Sequence, residues 1–269
     1  MKTKLKTIAL LIAQIFARPI ARYAEKNLVM YASSDYTLAD LDRYDVNFPG
    51  SAEKIRQRFY DFLVYPTAGA TQFTFFANPK GQGLSASVGN AGNPKTYADT
   101  NMELAGQLPS PQAFIAESIE VVFFAGSSTA ANTYAAQVPA STQTTAMVAA
   151  QLQSINDINA IGIGGFLDLY IGSKTYLRDG PLGSFPPKTN LAIDAAFALA
   201  TGLTTVQNAI TLANGKWVGR PYYLDPPITL RATQNFNITL NWPVAVATPS
   251  GNNGKIGVIL DGVLFRKAQ

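Results

Sequence analysis

With neither histidine nor cysteine among its 269 residues, this chain lacks the two side chains on which most reactive sites are built. Without imidazole there is no Ser-His-Asp relay and no acid-base work by histidine. Without thiols there is no thiolate nucleophile, no disulfide and no zinc centre based on Cys or His. Catalysis would fall to Asp, Glu, Lys, Ser and Tyr. The best-placed acids are Glu120, in IEVVFF, and Asp168, in FLDLYI, each within a strand-like run. Two acids facing one cleft would serve a carboxylate-based glycoside hydrolase, although isolated acids on strands are more often the polar face of a sheet. Trp217, Tyr222, Tyr223 and Trp242 would suit sugar stacking in a secreted β-sandwich carbohydrate-binding protein, but alternation puts Trp242 on the apolar side of its strand.

Other chemistry-bearing patterns are incomplete. Asp40, Asp42 and Asp45, within the stretch from Asp35 to Asp45, lack the Gly and the terminal Glu of a calcium loop. That stretch reads as a solvated linker or a short helix. Gly81-Gln82-Gly83 is not followed by Gly-Lys-Ser or by a helix signal, as a phosphate loop requires. No catalytic, cofactor-binding or metal-ligating residue is expected, and no cofactor.

The elements that would position these residues are mainly strands. Phe236, Ile238, Leu240 and Trp242 alternate with Asn235, Asn237, Thr239 and Asn241, the pattern of a strand with one buried face. Ile228 and Leu230 precede them, and Ala232-Thr233-Gln234 is short enough for an antiparallel return. Tyr60, Phe62 and Val64 predict the apolar face of a strand that forms a hairpin with Phe73 and Phe75. Ile119 to Phe124 is apolar on both faces and predicts a central buried strand. Leu167, Leu169 and Ile171 predict another strand, turned at Gly172-Ser173 into Lys174 to Leu177. Asp261-Gly262, inside the apolar run Ile256 to Phe265, predicts either a tight turn or a bulge in one long strand. A helix is predicted from Ser141 through Val148, Leu152 and Ile155 to Asn156, and a second from Asn190 to Gly202. Residues 78 to 100, rich in Gly, Asn, Pro and Ser, form a long loop of the kind that usually serves a purpose or contacts something.

The N-terminus differs in character. Lys2, Lys4 and Lys6 precede an apolar run, and Arg18, Arg22 and Lys26 follow it. That resembles a secretory signal; the preferred reading is an amphipathic arm with Leu5, Ile8, Ile12, Ile15 and Phe16 on one stripe. Its apolar run is too short to span a bilayer, so it would lie along an anionic membrane surface, against a neighbouring subunit, or on its own domain. The domain division expected is 1–50, arm and linker, and 51–269, one β domain.

Charged residues make up 14% of the chain against about a quarter in an ordinary domain. Either neighbouring copies cover much of its surface, or it is a robust secreted β protein. The net charge of +4 gathers on the arm without an aromatic platform, so direct nucleic-acid contact is not expected. The strands, inserted helices and long crossings together predict an all-β jelly roll.

The stretches DTNMELAGQLPSPQAF (Asp99 to Phe114), GGFLDLYIGSKTYLRDGPLGSFPP (Gly164 to Pro187), QNFNITLNWP and GKIGVILDGVLFRKAQ resemble the major capsid proteins of tailless icosahedral phages that enclose a lipid membrane. The resemblance covers most of the chain after about residue 55. It implies a structural capsid protein of a bacteriophage virion, assembled in the host cytoplasm by self-assembly into trimeric or pseudo-hexameric capsomers. It further implies contacts with other capsid proteins, with the basic arm toward an internal membrane. Such proteins are built of viral jelly-roll β-barrels, two fused or one; the strand signals here favour one elaborated barrel, with a compact double jelly roll as the alternative.

Overall fold

A computed structural model of the chain describes residues 52–87, 90, 92–126, 156–188, 193–196, 209–212 and 220–267. The expectations placed on Met1 to Lys26, on Asp35 to Asp45, on Ser141 to Ile155 and on Trp217 lie outside the described residues. All described residues belong to one compact unit, Phe48–Gln269.

The fold is mostly β. In chain order the strands are β1 (Ala52–Tyr65), β2 (Gln72–Phe75), β3 (Gln112–Phe124), β4 (Phe166–Ile171), β5 (Lys174–Asp179), β6 (Ile193–Ala196), β7 (Ala209–Leu212), β8 (Tyr222–Arg231), β9 (Phe236–Asn241) and β10 (Gly254–Lys267). One short helix, α1, covers residues 156–164. Sheet one has the order β1-β10-β3-β8 and sheet two the order β2-β9-β4-β5, while β6 and β7 pair separately. Every strand pairing is antiparallel.

The two four-stranded sheets pack as a sandwich because each carries one apolar face. Phe59, Phe114, Ile119, Ile256, Val258 and Leu260 from sheet one meet Leu167, Leu169, Ile171, Phe236, Ile238 and Leu240 from sheet two in one buried cluster. The predicted faces of β4 and β9 are those observed, and β3 is central, between β10 and β8. Trp242 closes one end of the core: its indole donates to the Ile161 carbonyl of α1 at 3.1 Å, and Tyr65 and Phe73 meet its ring edge-on. Gly165 allows that close approach, since a Cβ there would stand 2.6 Å from the indole nitrogen.

Four expectations are corrected. Residues 59–75 do not form a hairpin, because β1 and β2 belong to different sheets. The faces of β1 are also reversed: Phe59, Asp61 and Tyr65 are buried, whereas Tyr60, Phe62 and Val64 lie on the half-buried outer side. Aromatic residues on both faces hid this, and the inward carboxylate is tolerated because Lys95 reaches it at 2.5 Å. The return expected at Ala232-Thr233-Gln234 instead crosses from sheet one to sheet two. Thr233 takes a left-handed conformation (φ 59) and its amide is held by the Leu108 carbonyl at 3.1 Å, which turns the chain out of its sheet. The predicted helix from Asn190 fails over Ile193–Ala196, which is β6, paired antiparallel with β7. The helix preference of alanine is a few tenths of a kcal/mol per residue and yields to strand pairing.

Asp261-Gly262 lies within one long strand, not a turn. The register against β3 shifts there, where Glu117 is an extra residue on β3. Gly262 is required because a Cβ would collide with the backbone carbonyl of Ile115; at Gly257 it would collide only with the Phe62 ring. Backbone cannot move aside inside a central ladder, whereas a surface ring can swing. Gly262→Ala is therefore expected to lower stability by about 1–3 kcal/mol in urea unfolding, and Gly257→Ala by clearly less.

Candidate functional site

Directly opposed residues in antiparallel strands share a face, so the outer side of sheet one can be read rung by rung. From one end to the other the rungs are Lys54–Phe265–Ala113–Arg231, Arg56–Val263–Ile115–Thr229, Arg58–Asp261–Ser118–Tyr223, Tyr60–Ile259–Glu120, Phe62–Gly257–Val122 and Val64–Lys255–Phe124. The face is apolar within β10 and β3 at its first end (Phe265, Ala113, Val263, Ile115), ionic in the middle and aromatic at the far end.

The ionic zone is built around the extra residue of β3. Glu117 accepts from Arg56 Nη1, and Asp261 accepts ion pairs from Arg56 Nε (2.9 Å), Arg58 Nε (3.6 Å) and Lys188 Nζ. Glu120 accepts from the Lys188 backbone amide at 2.9 Å and lies 3.8 Å from its ammonium. The carboxylates are buried, whereas the Arg56 and Arg58 side chains are 44% and 41% exposed. Burial pushes the Lys188 ammonium below its ordinary pKa and Arg56 and Arg58 add to this, with Glu120 and Glu117 opposing. A depression of about 480 Å³ opens here, lined by Arg56, Gln57, Arg58, Lys188 and Asp261. Every acid in the zone has a cationic neighbour, so the arrangement is a charge-balanced lattice and not an acid-base pair. Among the described residues no group of acidic side chains is arranged to hold a metal ion.

At the aromatic end the Phe62 ring lies across Gly257, with Phe124 and Tyr60 at 6.1 and 6.0 Å. Lys255 Nζ sits 4.6 Å above Phe62, and Lys80 Nζ sits 3.9 Å from the Tyr97 ring centre. Phe124 and Tyr97 are 54% and 59% exposed.

The long loop of residues 78 to 100 does serve a purpose, since its end straps the free edge of β1. The Phe62 amide donates to the Asp99 carbonyl at 2.8 Å, and the Tyr60 amide donates to the Asn101 side chain at 3.0 Å. Asn101 Nδ2 donates to the Arg58 carbonyl at 2.6 Å, and the Thr100 hydroxyl donates to the Tyr60 carbonyl at 3.1 Å. The strap is held by two buried acids. Asp61 takes Lys95 Nζ and, at 2.7 Å, the Phe76 amide. Burial raises its carboxyl above the ordinary range, with Lys95 opposing. Asp99 gathers the Ser85 and Ser87 hydroxyls at 2.7 Å each and the Thr96 and Ala86 amides at 3.0 Å each. Burial alone would raise its carboxyl, but these donors hold it down at about 2, from 3.8.

The two acids proposed as a catalytic pair are not brought together. Glu120 points out of sheet one, while Asp168 lies between core residues Leu167 and Leu169 and so points out of sheet two. Packed sheets stand ~10 Å apart, and carboxylates on their opposite outer sides cannot flank one glycosidic bond. Asp168 is bound instead by Arg178 Nε (2.6 Å), Tyr170 (3.2 Å) and Asn241 (3.3 Å). Of the aromatic candidates, Trp242 is in the core, Tyr222 stacks at 4.6 Å on Phe185, and Tyr223 is half exposed. Gly81 and Gly83 take positive φ (86 and 67) within the strap loop. The basic arm residues Lys2, Lys4, Lys6, Arg18, Arg22 and Lys26 lie outside the described residues. Sequence reasoning missed Asp61, Lys95 and Asp99; the available signal was an acid at position 61 in the middle of an aromatic strand, where Asp is depleted.

Comparisons with protein-family models, with curated proteins and with solved structures give no match.

Lys95→Met leaves the Asp61 carboxylate buried without its cation and is expected to cost roughly 3–5 kcal/mol, the Asp61→Asn/Lys95→Met pair costing less than the single change; chemical denaturation of the three proteins measures this. Because the Asp99 carboxyl is depressed, its contribution is complete above its unfolded value of 3.8 and is lost as pH falls toward about 2. Asp99→Asn should therefore flatten the stability profile between those limits by about 2 kcal/mol, read from denaturation midpoints across that range.

Proposed function

We propose that the chain is the structural subunit of an icosahedral virion shell, a major capsid protein of the tailless, membrane-containing phage type, and that its sandwich is a single viral jelly roll. The observation that carries this reading is the nesting of the strands. With the β6–β7 ribbon set aside, the first sandwich strand pairs with the eighth, the second with the seventh, the third with the sixth and the fourth with the fifth, and the pairs alternate between the sheets. That is the wrapping order of a jelly roll, an architecture used by viral capsid and lectin domains. Eight sandwich strands among the described residues favour one barrel over a double barrel, which needs about sixteen.

Architecture alone leaves function open, and the surface chemistry selects among its uses. The outer side of sheet one joins exposed aromatic rings to an ion lattice that is already balanced, and buried interface centres are likewise rich in aromatics and poor in unpaired charge. The separation of Glu120 from Asp168 weighs against the hydrolase reading. In the shell, capsomers are trimeric or pseudo-hexameric, other capsid proteins join them, and the basic arm from Lys2 to Lys26 faces an internal membrane or a neighbouring subunit.

Negative-stain electron microscopy of the concentrated full chain tests this: shells or hexagonal arrays are expected, and a monodisperse monomer at every concentration tried overturns it. Deleting residues 1–26 should reduce co-sedimentation with anionic liposomes, and more strongly at low salt.

A further inference from the structure

The outer side of sheet two differs in kind from that of sheet one. Six side chains from its four strands form one hydrogen-bonded net: Gln72 from β2, Thr239 and Asn241 from β9, Asp168 and Tyr170 from β4, and Arg178 from β5. The Asn241 amide links them, accepting from Gln72 Nε2 at 2.8 Å and donating to the Thr239 hydroxyl at 3.0 Å and to Asp168 at 3.3 Å. Polar side chains bond mostly to backbone or water, not to one another. Here they are tied together around an acid that is 3% exposed, so the net is organised before anything binds to it.

Two groups of this face remain on offer. Arg178 grips Asp168 through Nε (2.6 Å) and Nη2 (3.3 Å), yet its side chain is 63% exposed and Nη1 has no protein partner among the described residues. Tyr176, the extra residue of β5 against β4, is 52% exposed, and its hydroxyl has no partner among the described residues.

We propose that this face binds a neutral oligosaccharide, with Arg178 and the Asn241 and Gln72 amides hydrogen-bonding its hydroxyls and Tyr176 packing against a sugar ring. Sugar hydroxyls both donate and accept, and side-chain amides answer in both directions. Other ligand classes fit less well. Asp168 already neutralises Arg178, so an anion gains little, and that one carboxylate is itself fully engaged. A protein partner needs a desolvated apolar centre, whereas the middle of this face is amide, hydroxyl and ion pair. Neighbouring strands lie ~4.8 Å apart, so β2 to β5 spans roughly 14 Å, which suits a chain of sugars better than a single one. The site uses none of the aromatic residues that the sequence offered for sugar stacking, and it makes Asp168 the residue that positions Arg178. It goes beyond the shell reading and does not rest on it.

The test is titration of the full chain with neutral hexasaccharides of glucose, mannose, galactose and xylose, with heparin as the acidic control, read by calorimetry and by NMR of the side-chain amides. At least one hexasaccharide is expected to bind equally well at low and high salt and to shift the Asn241 and Gln72 amide signals. Arg178→Lys keeps a cation beside Asp168 but gives up the planar fork; it and Tyr176→Ala should each weaken binding at least tenfold. Tyr176→Ala, at an exposed position with no hydrogen bond to lose, decides alone if Arg178→Lys does not fold. Binding of none of the four, binding that a folded variant leaves unchanged, or binding of heparin alone that is lost at high salt overturns the proposal. Shells formed by a chain that binds no sugar would sink this site and leave the shell reading intact; sugar binding without shells would do the reverse.

Discussion

The sandwich is arranged around β10, which is hydrogen-bonded to β1 along its whole length on one side and to β3 along most of it on the other. A strand held on both sides cannot slip, since a one-residue shift would send Ile256, Val258 and Leu260 out of the core and Asp261 into it. This constraint explains two of its glycines at once. Gly262 lets the Ile115 carbonyl approach where β3 takes up its extra residue, and Gly257 leaves a trough for the Phe62 ring. It also fixes the outer rungs, because every side chain on that face is positioned through β10.

The second constraint follows from the first. Once β1 is locked in register, Asp61 must point inward, and an unpaired carboxylate there would be costly. Lys95 answers it from 34 residues away, and in doing so ties the long loop to the inner side of β1. Asp99 then organises that loop around its own carboxylate, and the loop's last residues fall along the edge of β1. Strand register, buried charge and edge protection are thus successive consequences of one pairing.

Legibility followed the range of the interactions. The alternation of β9 and β4 could be read because one face of each is apolar and the other polar, so period and burial agree. In β1 aromatic residues stand on both faces, so the period was visible but the direction of the core was not. The alanine-rich run at Ile193–Ala196 has local helix preference, and a partner strand at Ala209–Leu212 overrides it; no local pattern announces such a partner. The separation of β1 from β2 and of β8 from β9 into opposite sheets was hidden for the same reason, since hairpins and sheet crossings use similar short polar links. The ion lattice was least legible: Arg56 and Glu117 are 61 residues apart, and only the nested pairing brings them together.

A buried ion pair is weak evidence for stability, because apolar residues of similar volume often serve as well or better. Its value at Asp61 is better sought in specificity. The loop that carries Lys95 is rich in Gly, Asn and Ser and has few apolar groups with which to choose a docking position. A lysine that must reach one carboxylate from inside the protein allows that loop one seat, and the seat places Asn101 opposite Tyr60 and Arg58. With an apolar residue at position 61 the loop would lose its buried ionic anchor, and only the Asp99 network and Met102, which sits in the core, would hold the strap in its seat. The charge pair sets where the strap lies, and the strap sets which part of the β1 edge is covered.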